Sequence, residues 1–148
     1  MFDGTTPPDT IARLLRRRAE SGTLWIDTVG SSMGRAVPDG ARVRVVAAAR
    51  PRRGEVWAIC NDDSRVVVHR ALGVVDGRWW FQGDANRSPD LPIELARLIG
   101  RVAEVDIAGR RRRLRGPDRL LARSRLDAAA GWKRVLATVR WTGRRTRR

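Results

Sequence analysis

A serine hydroxyl becomes an effective nucleophile only when a base takes its proton, and this 148-residue chain has an imidazole at one position, His69. Well upstream lies Ser32, within Thr28-Val-Gly-Ser-Ser-Met-Gly-Arg-Ala-Val-Pro-Asp-Gly40. A strand-like apolar stretch, residues 24–29, runs into the Gly30-Ser-Ser-Met33 corner, and Pro38-Asp39-Gly40 supplies a turn before the next apolar stretch. A serine on such a corner can project its hydroxyl off a sheet to where a base reaches it. Taken singly, a Gly-Ser-Ser corner is an ordinary turn and a lone histidine an ordinary structural residue. The case for chemistry therefore needs a third group. Asp84 and Asp90, both in the loop 83–90, are acids able to bond the far ring nitrogen of His69, fixing its tautomer and stabilising the imidazolium. The only lysine, Lys133, lies far off in the C-terminal tail.

The elements that must position these groups read as strands. Arg42–Val46 alternates as a half-buried strand does, and Glu55–Cys60 follows the turn-rich Arg50-Pro-Arg-Arg-Gly54. Asn61-Asp62-Asp63-Ser64 makes a hairpin-like turn into the β-branched Val66-Val-Val68, at whose end His69 stands. Asp76-Gly77 turns the chain into Arg78–Gln82. After the 83–90 loop and a short helical turn within Ile93–Leu98, Gly100–Ile107 alternates again and closes the sheet. Ahead of the strands, Pro8-Asp9-Thr10 opens a short helix with Asp9 or Thr10 as its cap. Ile11, Leu14 and Leu15 form its apolar face, and Ser21-Gly22 ends it. Six or so short strands predict a mainly β domain over residues 23–108, preceded by a lead-in and helix over 1–22. Trp25, Trp57, Trp79 and Trp80 fall in the alternating strands and are expected in the core and on strand faces rather than as a base-stacking platform.

Residues 109–148 differ in character. They hold 15 of the 31 basic residues and two of the 16 acidic ones, so most of the net charge of +15 lies there. The expectation is a basic, partly helical tail. Arg110–Arg113 forms a charge run, and Pro117 starts a helix that Gly131 interrupts. Trp132, Val135, Leu136 and Val139 form one face of a second short helix, and the final residues are disordered. Such a tail can bind an anionic membrane surface or nucleic acid non-specifically. Cys60, the only cysteine, has no disulfide partner within the chain and no metal-ligand companions, and reads as a core thiol. Nothing implies a cofactor or metal. There is no apolar run long enough to cross a bilayer and no signal-peptide layout, so a cytoplasmic protein is expected, with peripheral association at the inner face of the membrane as the tail's contribution.

From about Thr28 to Asp106 the chain resembles the catalytic domain shared by type I signal peptidases and the LexA/UmuD self-cleaving repressors. Gly30-Ser-Ser-Met33 resembles the nucleophile motif, Gly40 the glycine of the following turn, and Arg53-Gly-Glu-Val56 the Arg-Gly-Asp-Val run of the next strand. Val67-Val-His-Arg70 falls where the general base stands, and Gly83-Asp-Ala-Asn86 with Asp90 resembles the final box. Histidine rather than lysine at the base makes the chain similar to the archaeal, endoplasmic-reticulum and sporulation-type branch. The resemblance implies a LexA/signal-peptidase-like β-fold and a serine endopeptidase that cuts after small residues. It implies Ser32 as nucleophile, His69 as base, Asp90 as the base-orienting residue and Asp84 as the accompanying structural acid. Gly30, Ser31 and Met33 are expected around the substrate and oxyanion, with the Ser32 N–H as the main donor.

Three features depart from the pattern. Arg35 stands where proline is usual, Ala41 where aspartate is usual, and a helix at 10–20 where signal peptidases carry a membrane anchor. A cytosolic leader peptide, peptide precursor or regulator is therefore the expected substrate. The alternatives are a catalytically silent peptide binder and a nucleic-acid-binding protein acting through the tail. Against the second, the first 22 residues hold a single short helix and no helix-turn-helix.

Overall fold

The structure, a computed structural model, describes residues 5–22, 24–114, 116–129 and 131. It is mainly β. Helix α1 (Pro8–Glu20) leads into strands β1 (Leu24–Asp27), β2 (Arg42–Val46), β3 (Val56–Cys60), β4 (Val66–Val75), β5 (Arg78–Gln82), β6 (Leu98–Ile107) and β7 (Arg110–Arg113). A second helix, α2, covers residues 119–129. The strands form one antiparallel sheet in the order β1-β2-β6-β3-β4-β5, with β7 also paired to β6. The ladder is bulged between Arg44 and Val45, between Ala58 and Ile59, and between Ala71 and Gly73. Bulges sharpen the local twist and bend the strand that carries them.

Alternation divides the apolar side chains among three cores. Ile11, Ala12, Leu15 and Ala19 of α1 pack with Val43, Val45, Val56, Ala58, Ile99 and Val105 of the sheet. Trp57, Ile59, Ala71, Phe81, Ile93 and Leu98 make a second cluster. The third joins Leu72 and Trp80 to Ala122, Leu126 and Ala129 of α2. Trp57 and Trp80 are thus core residues, Trp79 packs at the edge of the second cluster, and Trp25 lies under the guanidinium groups of Arg42 and Arg111.

Several expectations are corrected. The N-cap of α1 is Pro7, with no side-chain cap, so neither Asp9 nor Thr10 has that role. The pyrrolidine ring already fixes φ, and Asp9 lies in the first turn, where its charge opposes the positive helix end. Leu14 is exposed, Ala12 and Ala19 taking the buried positions beside Ile11 and Leu15. The charge run Arg110–Arg113 is a strand: it pairs with Glu104–Ile107, its backbone bonds being made whatever its side chains are. Leu121 N–H bonds Asp118 Oδ1, so Asp118 rather than Pro117 opens α2, and Gly131 is helical. Up to α2, then, the expected tail is part of the folded body. The expected helix through Trp132, Val135, Leu136 and Val139, the end of the chain and Lys133 lie outside the described residues. Among the described residues no helix is long and apolar enough to cross a membrane.

Candidate active site

The corner after β1 is closed by backbone bonds. Thr28 N–H bonds Ala41 O at 2.8 Å, Gly34 N–H bonds Ser31 O at 3.0 Å, and Gly40 N–H bonds Thr28 O at 3.2 Å. The Gly30 N–H bonds Asp39 Oδ1 at 2.7 Å. That bond removes Gly30 as an oxyanion donor and leaves it as a groove residue. Met33 is buried with Val37 against the sheet, and Ser31 is exposed. Ser32 is half-buried between them, and its backbone N–H makes no hydrogen bond among the described residues.

His69 stands within β4 rather than at the end of a strand, because the apolar run continues through the bulge at Gly73 to Val75. It is 7% exposed. Its Nδ1 lies 2.5 Å from Asp90 Oδ2 and its Nε2 3.1 Å from Ser32 Oγ. A carboxylate only accepts, so the ring proton sits on Nδ1, and the Nε2 lone pair faces the serine hydroxyl, which donates to it. Asp90 reaches this position because the chain turns back after the loop: Asp90 N–H bonds Phe81 O, and residues 79 and 93 exchange a pair of backbone bonds.

Asp84 has a different partner. Its two oxygens accept from Arg70 Nε and Nη2, each at 2.7 Å, while Arg70 Nη1 bonds Gly54 O at 2.7 Å. Arg70 is 8% exposed, and the hydrogen bonds it donates to Asp84 raise its pKa above the ordinary arginine range, so it is a fixed cation. The pair ties the 83–90 loop to β4 beside His69. Ala85 N–H completes the tie by bonding Ser32 O at 2.8 Å. Gly83 makes the approach possible: a Cβ there would lie 2.6 Å from Ser32 O and 3.0 Å from Ser32 Cβ, closer than side chains pack.

Ser32 opens into a groove of about 350 Å³ lined by Ile26, Thr28, Gly30, Met33, Val37, Arg65, Val66 and Val68. Two strand edges border it. Among the described residues β1 pairs only with β2, and residues 66–69 of β4 pair only with β3, because the β5 ladder begins at Arg70. An extended chain laid here finds backbone donors and acceptors on both sides and an aliphatic floor beneath.

The structure therefore brings Ser32, His69 and Asp90 into one hydrogen-bonded line and places Asp84 in the loop's support. Sequence reading noted Arg70 only as the residue after the histidine, and missed Val37 and Val68 of the groove, whose signal is ordinary apolar patterning. Among the described residues no three His, Cys, Asp or Glu side chains converge as a metal site. No protein-family model matches the chain, and no curated protein matches it.

Proposed function

We propose that this chain is a serine endopeptidase with a LexA/signal-peptidase-like fold. The observation that carries the reading is His69 set between Ser32 Oγ and Asp90 Oδ2, at 3.1 and 2.5 Å, with the three residues drawn from three separate segments. In the proposed reaction Ser32 Oγ attacks a peptide carbonyl carbon and His69 Nε2 takes the hydroxyl proton. Asp90 stabilises the imidazolium, and the developing oxyanion accepts from the Ser32 N–H. His69 returns the proton to the leaving amine, and the amide C–N bond breaks. Water, deprotonated by the same imidazole, then hydrolyses the ester.

The two strand edges around the groove support an extended polypeptide as substrate, added beside β1. The aliphatic lining of Met33, Val37 and Val68 supports apolar side chains before the cut, and the family resemblance favours small ones. The basic region adds a separable property. Arg35, Arg112, Arg113 and Arg119 line a groove of about 890 Å³, which supports weak, salt-dependent association with an anionic membrane surface or nucleic acid.

Mass spectrometry of a peptide library treated with wild type, Ser32→Ala and His69→Ala tests the peptidase reading. Cleavage by wild type alone, after small apolar residues, is expected. Cleavage retained in Ser32→Ala rules the reading out.

A further inference from the structure

Helix α2 belongs to the region that sequence composition sets apart as a basic tail, yet its contacts converge on the loop that holds Ser32. The Arg125 guanidinium donates from Nη1 to Gly83 O at 2.9 Å and from Nη2 to Asp84 O at 2.7 Å. These are the two residues just before Ala85, whose N–H bonds Ser32 O. At the start of the helix, Asp118 N–H bonds Gly54 O at 3.2 Å, the same carbonyl that accepts from Arg70 Nη1. A Cβ at position 54 would lie 2.5 Å from the Asp118 carbonyl carbon, so glycine is what admits this approach. Ala122, between these two anchors, and Leu126, just past the second, bury themselves with Leu72 and Trp80.

We propose that Arg125 is a positioning residue for the Ser32 centre, with α2 serving as a brace behind the nucleophile's loop; as a statement about reaction rate this rests on the peptidase reading. The geometry supplies the reason. Two carbonyls on adjacent residues must be held by one planar, two-pronged donor, which a guanidinium is and an ammonium is not. The Asp84 side chain is fixed from one side by Arg70 and its backbone from the other by Arg125. Ser32 is thereby held from behind, while His69 is carried on β4 and Asp90, at the far end of the same loop, has its own anchor in the bond from its N–H to Phe81 O. Loss of the brace loosens the serine and leaves the histidine–aspartate pair in place.

Two measurements on the full chain test this with Arg125→Ala, Arg125→Lys and Arg123→Ala, the last on the exposed side of the same helix. The first is hydrogen exchange of the fragment spanning 83–90. The second is covalent labelling of Ser32 by an alkyl fluorophosphonate, resolved into a binding constant and a rate constant, with Ser32→Ala as blank. In Arg125→Ala, exchange of the loop is expected to be about tenfold faster. Labelling is expected to lose about tenfold in rate constant at unchanged binding constant. Arg125→Lys falls between, and Arg123→Ala behaves as wild type. A purely structural role for α2 lowers the unfolding midpoint without this split between rate and binding. Unchanged exchange and unchanged labelling rate in a folded Arg125→Ala overturn the proposal. If Arg125→Ala does not fold, Arg125→Gln, which keeps the aliphatic stem, is read the same way. A wild-type chain that is not labelled at Ser32, but whose loop exchange still depends on Arg125, sinks the peptidase reading and supports the brace.

Discussion

Asp84 and Asp90 share one short loop and one side-chain chemistry, yet one meets a guanidinium and the other an imidazole, and they should fail differently. Among the described residues the Asp90 carboxylate is hydrogen-bonded to the imidazole alone, so Asp90→Asn keeps the shape and offers His69 an amide that can present its donor. The ring then adopts the wrong tautomer, and labelling of Ser32 is expected to fall by roughly 10⁴-fold with little change in urea midpoint. Asp84→Asn instead leaves the buried Arg70 guanidinium without its carboxylate, a cost of about 3 kcal/mol visible in urea unfolding. Should Asp84→Asn abolish labelling at unchanged stability while Asp90→Asn remains active, the two roles are exchanged. The sequence placed both acids in the right loop on composition. Which one reaches His69 depends on how the chain doubles back along β5, and that is fixed by backbone bonds at Phe81 and Trp79 that leave no mark in the residue types.

At the scale of elements, the site is the meeting of one corner, one strand and one loop, and the tolerance is narrowest where loop meets corner. Gly83→Ala inserts a methyl group against the Ser32 carbonyl, so the loop must retreat. The expected result is about 1–3 kcal/mol of destabilisation together with slower Ser32 labelling, whereas alanine at Gly116, which has open space and no positive φ, does neither. Unchanged labelling in Gly83→Ala would mean that the loop does not set the serine's position. Strands with one buried face were legible: Arg42–Val46 and Gly100–Ile107 alternate because one face meets α1. β7 was not, since its four arginines are exposed on both faces and carry no period. It is held by the β6 ladder, by Arg111 over Trp25, and by Arg112 bonded to the carbonyls of Arg35 and Ala36. The same blindness hid the docking of α2, because the surrounding run of arginines draws attention from the apolar stripe Ala122, Leu126 and Ala129.

For the molecule as a whole, the question is whether its cores open together, and Cys60 reports on one of them. It is fully buried in the cluster that α1 shares with the sheet, while α2 covers a different cluster. Burial pushes the Cys60 thiol above its ordinary pKa, with Arg97 opposing and Asp9 reinforcing the shift, so the folded chain holds a protonated, unreactive sulfur. Reaction with an aromatic disulfide reagent therefore requires opening of the α1 core. Ile11→Ala, which hollows that core, is expected to speed the reaction about a hundredfold or more. Leu126→Ala should lower stability at the α2 cluster and leave the thiol rate near wild type if the two cores open separately, but raise both together if they open as one. The raised thiol pKa also fixes a sign. Above the ordinary thiol range the unfolded chain releases a proton that the folded chain retains, so stability falls as pH rises. Urea midpoints at neutral and at alkaline pH should separate in wild type by more than in Cys60→Ala, and equal separations would place the alkaline sensitivity elsewhere.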